Sequence, residues 1–274
     1  MRLVIHKNHE DASLWAAYYI ADRINAHCQT TEKPFVLGLP TGSSPLLIYR
    51  ELIQQVKEAK LSFARVHTFN MDEYLGLSGD HPQSYRHFMM ENLFKHIDID
   101  LAKTHIPNGM AKDPLEECRL YEEAIAKEGG IELFLGGMGN DGHIAFNEPG
   151  SSLTSRTRIK TLTGETRIAN ARFFGGDPSK VPATALTVGV GTVMDAREVL
   201  IIVSGKNKAR ALHAVVEEGV NHIWTLSCLQ MHPRAIIVCD DDATEEMQVK
   251  TVNYFKDIER ENLLNFDERV KNNR

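Results

Sequence analysis

Short apolar runs alternate with longer amphipathic segments along nearly the whole chain. Seven runs are candidate strands, and most of them are continuously apolar, which is typical of strands buried on both faces of a sheet. These predicted strands are Met1–Ile5, Pro34–Leu39, Val66–Asn70, Ile131–Leu135, Leu186–Val190, Val199–Val203 and Ala235–Cys239. The predicted helices between them are Asp11–Ala26, Ser44–Lys60, Ser84–His96, Pro114–Lys127, Asn207–Glu218 and Thr244–Glu259.

Strand followed by helix, many times over, predicts an α/β fold: an open, mostly parallel sheet with helices on both faces. No internal repeat or low-complexity linker divides the chain, so we expect one domain over residues 1–266. The polar stretch Asp267–Arg274 is expected to be a frayed tail. Ligands of such folds bind beyond the carboxyl ends of the strands, so we expect the chemistry in the loops at those ends.

Composition narrows the possible classes of protein. The 274 residues include 31 Lys plus Arg and 37 Asp plus Glu, a net charge of −6, and the chain has no basic tract, so we expect no nucleic-acid partner. No apolar stretch reaches the roughly 18 residues of a membrane helix, and no signal peptide is recognisable. The four cysteines form no Cys-x-x-Cys pair, which predicts a reduced, cytoplasmic protein.

The loop after the second predicted strand has the features of a phosphate site. Gly42 lets the backbone approach a ligand, and Thr41, Ser43 and Ser44 offer hydroxyls. We predict Ser44 as the N-cap of the next helix, with Pro45 at its first position. Free N–H groups and the helix dipole favour a phosphate there. The lysine of a P-loop is missing, and an ordinary capped turn is the alternative.

Two further loops carry carboxylates. Asp72 and Glu73 directly follow a predicted strand, where a partly desolvated carboxylate is well placed as a general base; a solvated loop is the alternative. A glycine-rich loop then brings Asp141, His143 and Glu148 within eight residues. A carboxylate beside an imidazole fixes its tautomer and raises its basicity for proton transfer. A metal site and a purely structural turn are weaker alternatives, and the Gly-x-Gly-x-x-Gly spacing does not support a dinucleotide site.

Basic side chains supply candidate anion partners. Lys206 and Lys208 follow another strand end, where either could neutralise a phosphate or remain solvated, and Arg172 offers a guanidinium suited to phosphate. Arg156, Arg158 and Lys160 alternate along the chain, so they are predicted to share one face of an extended strand. Three cations on one face repel each other unless they meet solvent or an anion.

Several of these segments together resemble the glucosamine-6-phosphate deaminases. The segments that carry the resemblance are Gly38–Gly42, Phe69–Tyr74, Gly139–Pro149, Ser155–Thr161 and Asn221–Thr225. The resemblance covers the chain to about residue 265. It implies a Rossmann-like sheet of the sugar-phosphate isomerase and deaminase type, and conversion of glucosamine 6-phosphate and water to fructose 6-phosphate and ammonia.

The resemblance also implies a role for each catalytic candidate. His143 would open the sugar ring, Asp141 and Glu148 would hold and polarise its imidazole, and Asp72 would move a proton from C2 to C1. No metal or organic cofactor is expected, because the C1 carbonyl of the opened sugar is the electron sink. The substrate phosphate is expected at Thr41, Gly42, Ser43, Ser44, Arg172 and Lys208.

Regulation is implied in the same way. The family includes hexamers activated by N-acetylglucosamine 6-phosphate, so we expect a homohexamer. The residues that match the activator site are Met1, Ser151, Ser152, Arg158, Lys160, Thr161 and Tyr254.

Two alternative functions are retained. A sugar-phosphate lactonase or isomerase would share the fold and the phosphate loop but would release no ammonia. A sugar-phosphate sensor that regulates transcription would need a DNA-binding segment, for which the chain leaves no room.

Overall fold

The computed structural model describes residues 1–273, which contain ten strands and nine α-helices linked by short 3-10 turns. The strands are β1 (Arg2–His6), β2 (Phe35–Leu39), β3 (Val66–Asn70), β4 (Asp72–Tyr74), β5 (Thr104–His105), β6 (Leu133–Gly137), β7 (Arg158–Thr161), β8 (Thr184–Thr187), β9 (Glu198–Val203) and β10 (Ala235–Asp240). The helices are α1 (His9–Thr30), α2 (Leu46–Lys57), α3 (Tyr85–Asn92), α4 (Pro114–Lys127), α5 (Gly164–Asn170), α6 (Val190–Met194), α7 (Ala209–Glu217), α8 (Val249–Ile258) and α9 (Arg260–Asn273). None of these helices is long and apolar enough to cross a bilayer.

A seven-stranded sheet forms the centre of the molecule and confirms the predicted fold class. Its order is β1-β10-β9-β6-β2-β3-β5, and every neighbouring pair is parallel. From β2 the chain moves outward through β3 to β5, and it then returns to the other side of β2 through β6, β9 and β10. The order therefore reverses between β2 and β6, where the loops that follow the two strands diverge and leave a crevice.

Both faces of the sheet are buried, and β9 shows why its sequence is continuously apolar. Val199, Ile201 and Val203 point into one core, which α4, α6 and α7 cover. Leu200 and Ile202 point into the opposite core, which α1, α2, α3 and α9 cover. Successive side chains of a strand alternate between faces, so a strand covered on both sides needs apolar residues at every position.

The structure contains a small second sheet that was not predicted, and one predicted strand was wrong in its bounds and its sheet. The predicted strand Leu186–Val190 is instead β8, Thr184–Thr187, while Val190 begins α6. β8 lies outside the parallel sheet and pairs antiparallel with β4 and β7. A short apolar run does not reveal which sheet it joins, and the three residues of β4 are too few to give a pattern.

The expected frayed tail is also wrong over the residues described. α9 continues through Asp267 to Asn273, and Arg274 lies outside the described residues. Arg269 donates two hydrogen bonds to Asp22 and lies over the ring of Tyr18. These contacts anchor a polar helix to α1, and they depend on residues almost 250 positions away in the sequence.

Candidate active site

A cavity of about 1010 Å³ opens at the carboxyl ends of the strands, next to the reversal point between β2 and β6. The loops that follow β2, β3, β6 and β9 contribute to its wall. Nine residues singled out in the sequence line it: Thr41, Gly42, Ser43, Ser44, Asp72, Asp141, His143, Arg172 and Lys208. Residues from five separate segments are therefore gathered round one space.

The loop after β2 presents its backbone to this cavity. Gly42 has φ = 95°, a left-handed conformation that other residues rarely adopt, and no atom lies where its side chain would be. The N-cap lies one residue later than predicted: Pro45 is the N-cap of α2 and has no side-chain cap bond. The hydroxyl of Ser44 is therefore not used as a cap.

Two cations flank this loop. Nη2 of Arg172 lies 3.4 Å from Oγ of Ser43, and Nζ of Lys208 donates to the carbonyl of Met138 at 2.6 Å. The pKa of Lys208 is lowered to about 8. Burial is the main cause; Asp141 opposes the shift, and Arg172 adds to it. A lysine desolvated in this way gains most from an anionic ligand, which would restore its ordinary pKa.

Asp72 lies at the cavity wall without a partner. It begins β4, directly beyond the end of β3, and it is 7% exposed. Within residues 1–273 no hydrogen bond or ion pair reaches its carboxylate. Burial raises the pKa of Asp72 to about 8, and the neighbouring charge of Glu73 adds to the shift. A carboxyl group with such a pKa is able to accept and return a proton near neutral pH.

Glu73 has a structural role, although it is adjacent to Asp72 in the sequence. Its side chain points to the other face of β4 and accepts hydrogen bonds from the backbone N–H groups of Tyr74, Tyr85 and Arg86. Burial raises the pKa of Glu73, and those three hydrogen bonds oppose the rise. Glu73 therefore fixes the start of α3 relative to β4.

His143 and Asp141 form a close pair on the loop after β6. Nδ1 of His143 lies 2.5 Å from Oδ1 of Asp141, although the N–H is not aligned as in a linear hydrogen bond. Partial burial opposes ionisation of Asp141, but the imidazole outweighs it and lowers the pKa of Asp141. Gly139 passes directly under the ring: a Cβ on that residue would lie 2.5 Å from Cε1 of His143.

Glu148 does not hold the imidazole in this structure, contrary to the expectation. Its carboxylate is 2% exposed and accepts hydrogen bonds from the backbone N–H of Thr163 and from the hydroxyls of Thr163 and Thr166. Glu148 therefore binds three donors at the start of α5. In the present arrangement Glu148 joins the loop after β6 to α5.

The residues expected to bind an activator lie outside the cavity, and only some of them are together. Nζ of Lys160 donates to Oγ of Ser151 at 3.0 Å, and Arg158, two positions earlier on β7, donates to Oδ1 of Asn147. Burial lowers the pKa of Arg158. Ser152 and Thr161 are exposed near this group. Within residues 1–273, no hydrogen bond or ion pair joins Met1 or Tyr254 to it.

Arg156 does not belong to the predicted cationic face. It precedes β7, and its guanidinium is paired with the carboxylates of Glu122 and Asp195. Two cations, Arg158 and Lys160, remain on that face of the strand.

An aromatic wall beside Asp72 was missed in the sequence. The rings of Tyr74, Tyr85, Phe146 and Phe174 lie within about 6 Å of each other in four of their pairings and line the cavity. The signal available was strand alternation, since Tyr74 stands two positions after Asp72 and so shares its face. Ala145 was also missed; it lines the cavity with φ = 51°, a strained backbone for an alanine.

Comparison with known proteins points to one family. A family model described as glucosamine-6-phosphate isomerases/6-phosphogluconolactonase matches residues 7–237. A glucosamine-6-phosphate deaminase of Treponema denticola is 61% identical over 263 residues, covering 96% of this chain and 97% of its own. One from Phocaeicola vulgatus is also 61% identical, over 96% of this chain and all of its own.

Solved structures give the same result. A monomeric glucosamine-6-phosphate deaminase superposes with a TM-score of 0.86 at 39% identity, over 90% of this chain and 100% of that one. The 6-phosphogluconolactonase of Thermotoga maritima superposes with a TM-score of 0.69 at 21% identity, over 88% and 100% of the two chains. The second likeness concerns the fold alone.

Proposed function

Because this chain belongs to the glucosamine-6-phosphate isomerase and 6-phosphogluconolactonase family, we propose that it converts glucosamine 6-phosphate and water to fructose 6-phosphate and ammonia. The observation that carries the proposal is Asp72, a buried carboxylate without a hydrogen-bond partner within residues 1–273, whose pKa is raised to about 8. It shares a cavity with an imidazole–carboxylate pair and with a loop suited to phosphate. Relatives of about 60% identity bear the name of this deaminase.

The phosphate anchors the substrate in this proposal. The free N–H groups after Gly42 and the hydroxyls of Thr41 and Ser43 surround it, and Arg172 and Lys208 neutralise its charge. Lys208 leaves its contact with the carbonyl of Met138 for a phosphate oxygen. Fixing one end of the sugar in this way places its other end over the loop after β6.

Proton transfer then takes place at the other end of the sugar. His143, oriented by Asp141, moves a proton from the anomeric hydroxyl to the ring oxygen and opens the ring. Asp72 removes the C2 proton from the aldehyde and returns it to C1. A proton passes from the amino group to O1 as the C2–N double bond forms, and the resulting imine at C2 reacts with water and releases ammonia. These steps need no metal or organic cofactor, since the carbonyl of the substrate accepts the electron pair.

The test measures both products from glucosamine 6-phosphate, in the presence of EDTA, for the wild type and Asp72→Asn. General acid–base catalysis is worth about 10²–10⁴-fold, so Asp72→Asn should lose activity by about that factor and still bind phosphate. Asp98→Asn makes the same change in a carboxylate that binds the backbone of Phe63 outside the cavity, and should behave like the wild type.

Two results would contradict the proposal. Full turnover by Asp72→Asn would remove Asp72 as the base. Hydrolysis of a sugar-phosphate lactone without any ammonia release would return the chain to the alternative reaction of its family.

We also propose that the chain assembles as a hexamer, is activated by N-acetylglucosamine 6-phosphate, and acts in the cytoplasm. The support for an activator site is a pair of partly buried cations on β7, Arg158 and Lys160. The hydroxyl of Ser151 accepts a hydrogen bond from Lys160. Two cations on one face of a strand favour an anionic ligand. A relative of 39% identity is described as monomeric, so assembly and activation need separate measurements.

Substrate curves with and without N-acetylglucosamine 6-phosphate, together with sedimentation, test this second proposal. The activator should turn a sigmoidal curve hyperbolic in the wild type and have no effect on Lys160→Met. Lys180→Met, an exposed lysine outside this group, serves as the control. Hyperbolic curves in every case would leave the β7 cations without a regulatory role.

A further inference from the structure

The hydroxyl of Tyr74 carries a proton that nothing in the described part of the chain accepts. The side chain is 1% exposed and forms part of the cavity wall. Its oxygen accepts a hydrogen bond from Nδ2 of Asn170 at 3.0 Å. The ring of Tyr85 lies 4.9 Å away between centroids and packs against the ring of Tyr74.

These contacts determine what Tyr74 is able to do. A phenol oxygen has two lone pairs and one proton. Asn170 occupies one lone pair, and no hydrogen bond donated by this hydroxyl reaches another residue of 1–273, so its proton is available to a ligand. An O–H shielded from water and left without an acceptor costs free energy, unless a ligand provides the acceptor.

Tyr74 lies on the same strand as Asp72, the proposed base. Asp72 and Tyr74 are alternate residues of β4, so their side chains leave the strand on the same face, while Glu73 points away. Antiparallel pairing of both residues with β8 holds this face in register, Asp72 opposite Thr187 and Tyr74 opposite Ala185. The cavity thus has a proton acceptor and a proton donor on one rigid element.

We propose that Tyr74 is a further catalytic residue, whose hydroxyl donates a hydrogen bond to O1 of the opened sugar while Asp72 removes the C2 proton. This inference rests on the proposed function. When the C2–H bond breaks, its proton goes to Asp72 and its electron pair becomes part of a C1–C2 double bond. The π pair of the C1 carbonyl moves to O1, where negative charge develops. Tyr74 stabilises that charge and keeps its own proton.

The surroundings of Tyr74 suit this task. Burial raises the pKa of Tyr74 to about 12, with the charge of Asp72 adding to the rise and the hydrogen bond from Asn170 opposing it, so the donor proton stays in place near neutral pH. The flanking rings of Phe146 and Phe174 exclude water, which strengthens a hydrogen bond to a developing charge. Because the donor is already oriented, little reorganisation is needed at the moment of reaction.

The test compares Tyr74→Phe with the wild type. The phenylalanine keeps the ring contacts, so the variant should fold. Loss of a donor to a developing oxyanion typically costs about 10²–10³-fold in kcat, and we expect a loss of that size with KM nearly unchanged. With substrate deuterated at C2, the isotope effect on kcat should increase, since proton removal becomes slower relative to the other steps.

The matched control is Tyr19→Phe. Tyr19 also has a hydroxyl bonded to a protein group, Oε2 of Glu198 at 2.6 Å, but it lies at the opposite end of the sheet. It should keep the kcat, KM and isotope effect of the wild type, even if its melting temperature falls.

Several outcomes would overturn the inference. A kcat within about twofold of the wild type would show that the hydroxyl has no catalytic role. A rise in KM alone would make Tyr74 a binding residue. A lower kcat with the acid limb of the pH profile displaced would mean that Tyr74 acts on Asp72 rather than on the sugar. If the wild type releases no ammonia, the proposed function fails first, which distinguishes the two failures.

Discussion

At the scale of single residues, the pKa values of Asp72 and Lys208 are shifted in opposite directions into the same range. Burial raises the pKa of Asp72 to about 8 and lowers that of Lys208 to about 8. The base is active when Asp72 has lost its proton, so its active fraction grows as pH rises through about 8. The phosphate site is strongest when Lys208 has kept its proton, so its affinity falls over the same range.

We therefore predict a bell-shaped dependence of kcat/KM on pH, with a narrow maximum near pH 8. Profiles from pH 5.5 to 10 should be compared for the wild type and Lys208→Arg. A guanidinium keeps its charge throughout this range, so the alkaline limb should move to higher pH in the variant while the acid limb stays in place. An alkaline limb that does not move would assign it to the substrate and not to Lys208.

The same carboxyl group makes stability depend on pH. The pKa of Asp72 is about 8 in the folded chain, against an ordinary value of 3.8, so the folded state holds the proton more tightly. The stabilisation is fully present below about pH 4 and is lost as pH rises through about 8. An asparagine at this position would have no proton to lose.

Asp72→Asn should accordingly gain in free energy of unfolding relative to the wild type as pH rises from 5 to 8. The gain should approach, at most, about 1.4 kcal/mol per pH unit for one proton. Urea titrations at several pH values measure it. A constant difference between the two proteins across this range would show that Asp72 is not held in its protonated form by folding.

Gly139 provides a test of His143 that leaves the imidazole itself unchanged. A methyl group at Gly139 would overlap the ring, so Gly139→Ala must displace His143 from Asp141. We expect kcat to fall at least about 10-fold, because general acid–base catalysis requires the imidazole at hydrogen-bond distance. Gly219→Ala, where no atom lies within 4 Å of the added carbon, is the control. Equal activity of the two variants would argue against ring opening by His143.

At the scale of elements, Glu122 of α4 secures the segment that leads into β7. Its carboxylate accepts hydrogen bonds from the backbone N–H and the hydroxyl of Thr157, from the hydroxyl of Thr192, and from Arg156. Burial opposes ionisation of Glu122, but these four donors outweigh it and lower the pKa of the carboxyl group.

Glu122→Ala should lower the free energy of unfolding by about 2–4 kcal/mol, because it leaves a backbone N–H and two hydroxyls without their acceptor and leaves Arg156 with Asp195 as its remaining carboxylate. Glu123→Ala removes the next carboxylate, which is exposed and pairs only with Arg119 among the residues described, and its effect should be much smaller. Thermal melts of both variants compare the two effects. Equal losses would mean that the segment before β7 is anchored elsewhere.

The elements also show how far the sequence leads. Strands buried on both faces, such as β9 and β10, could be predicted because every position must be apolar. The antiparallel sheet could not, since β4 is three residues long and two of them are acids. Asp72 and His143 could be selected as candidates because a strand end and a glycine-rich loop precede them. The partners of Glu148 could not, because Thr163 and Thr166 meet it only through the packing of α5.

At the scale of the whole molecule, the functional residues depend on segments that are far apart in the chain. The cavity combines the loop after β2 with Arg172 and with Lys208, which follows β9. These residues extend from Thr41 to Lys208, so the chemistry requires β2, β3, β6 and β9 to be assembled in one sheet. A truncated chain that lacks β9 would retain Asp72 but lose Lys208.

The pairing of β1 with β10 has a consequence for synthesis. Leu3 lies beside Ile237, so the first strand has no neighbour in the sheet until the last one has been made. At a translation rate of about 5–20 residues per second, the apolar strand β1 remains unpaired for on the order of tens of seconds until β10 has been made. During that interval β1 is a natural target for chaperones that capture nascent chains. Pairing of β1 then depends on the arrival of β10, which closes this edge of the sheet.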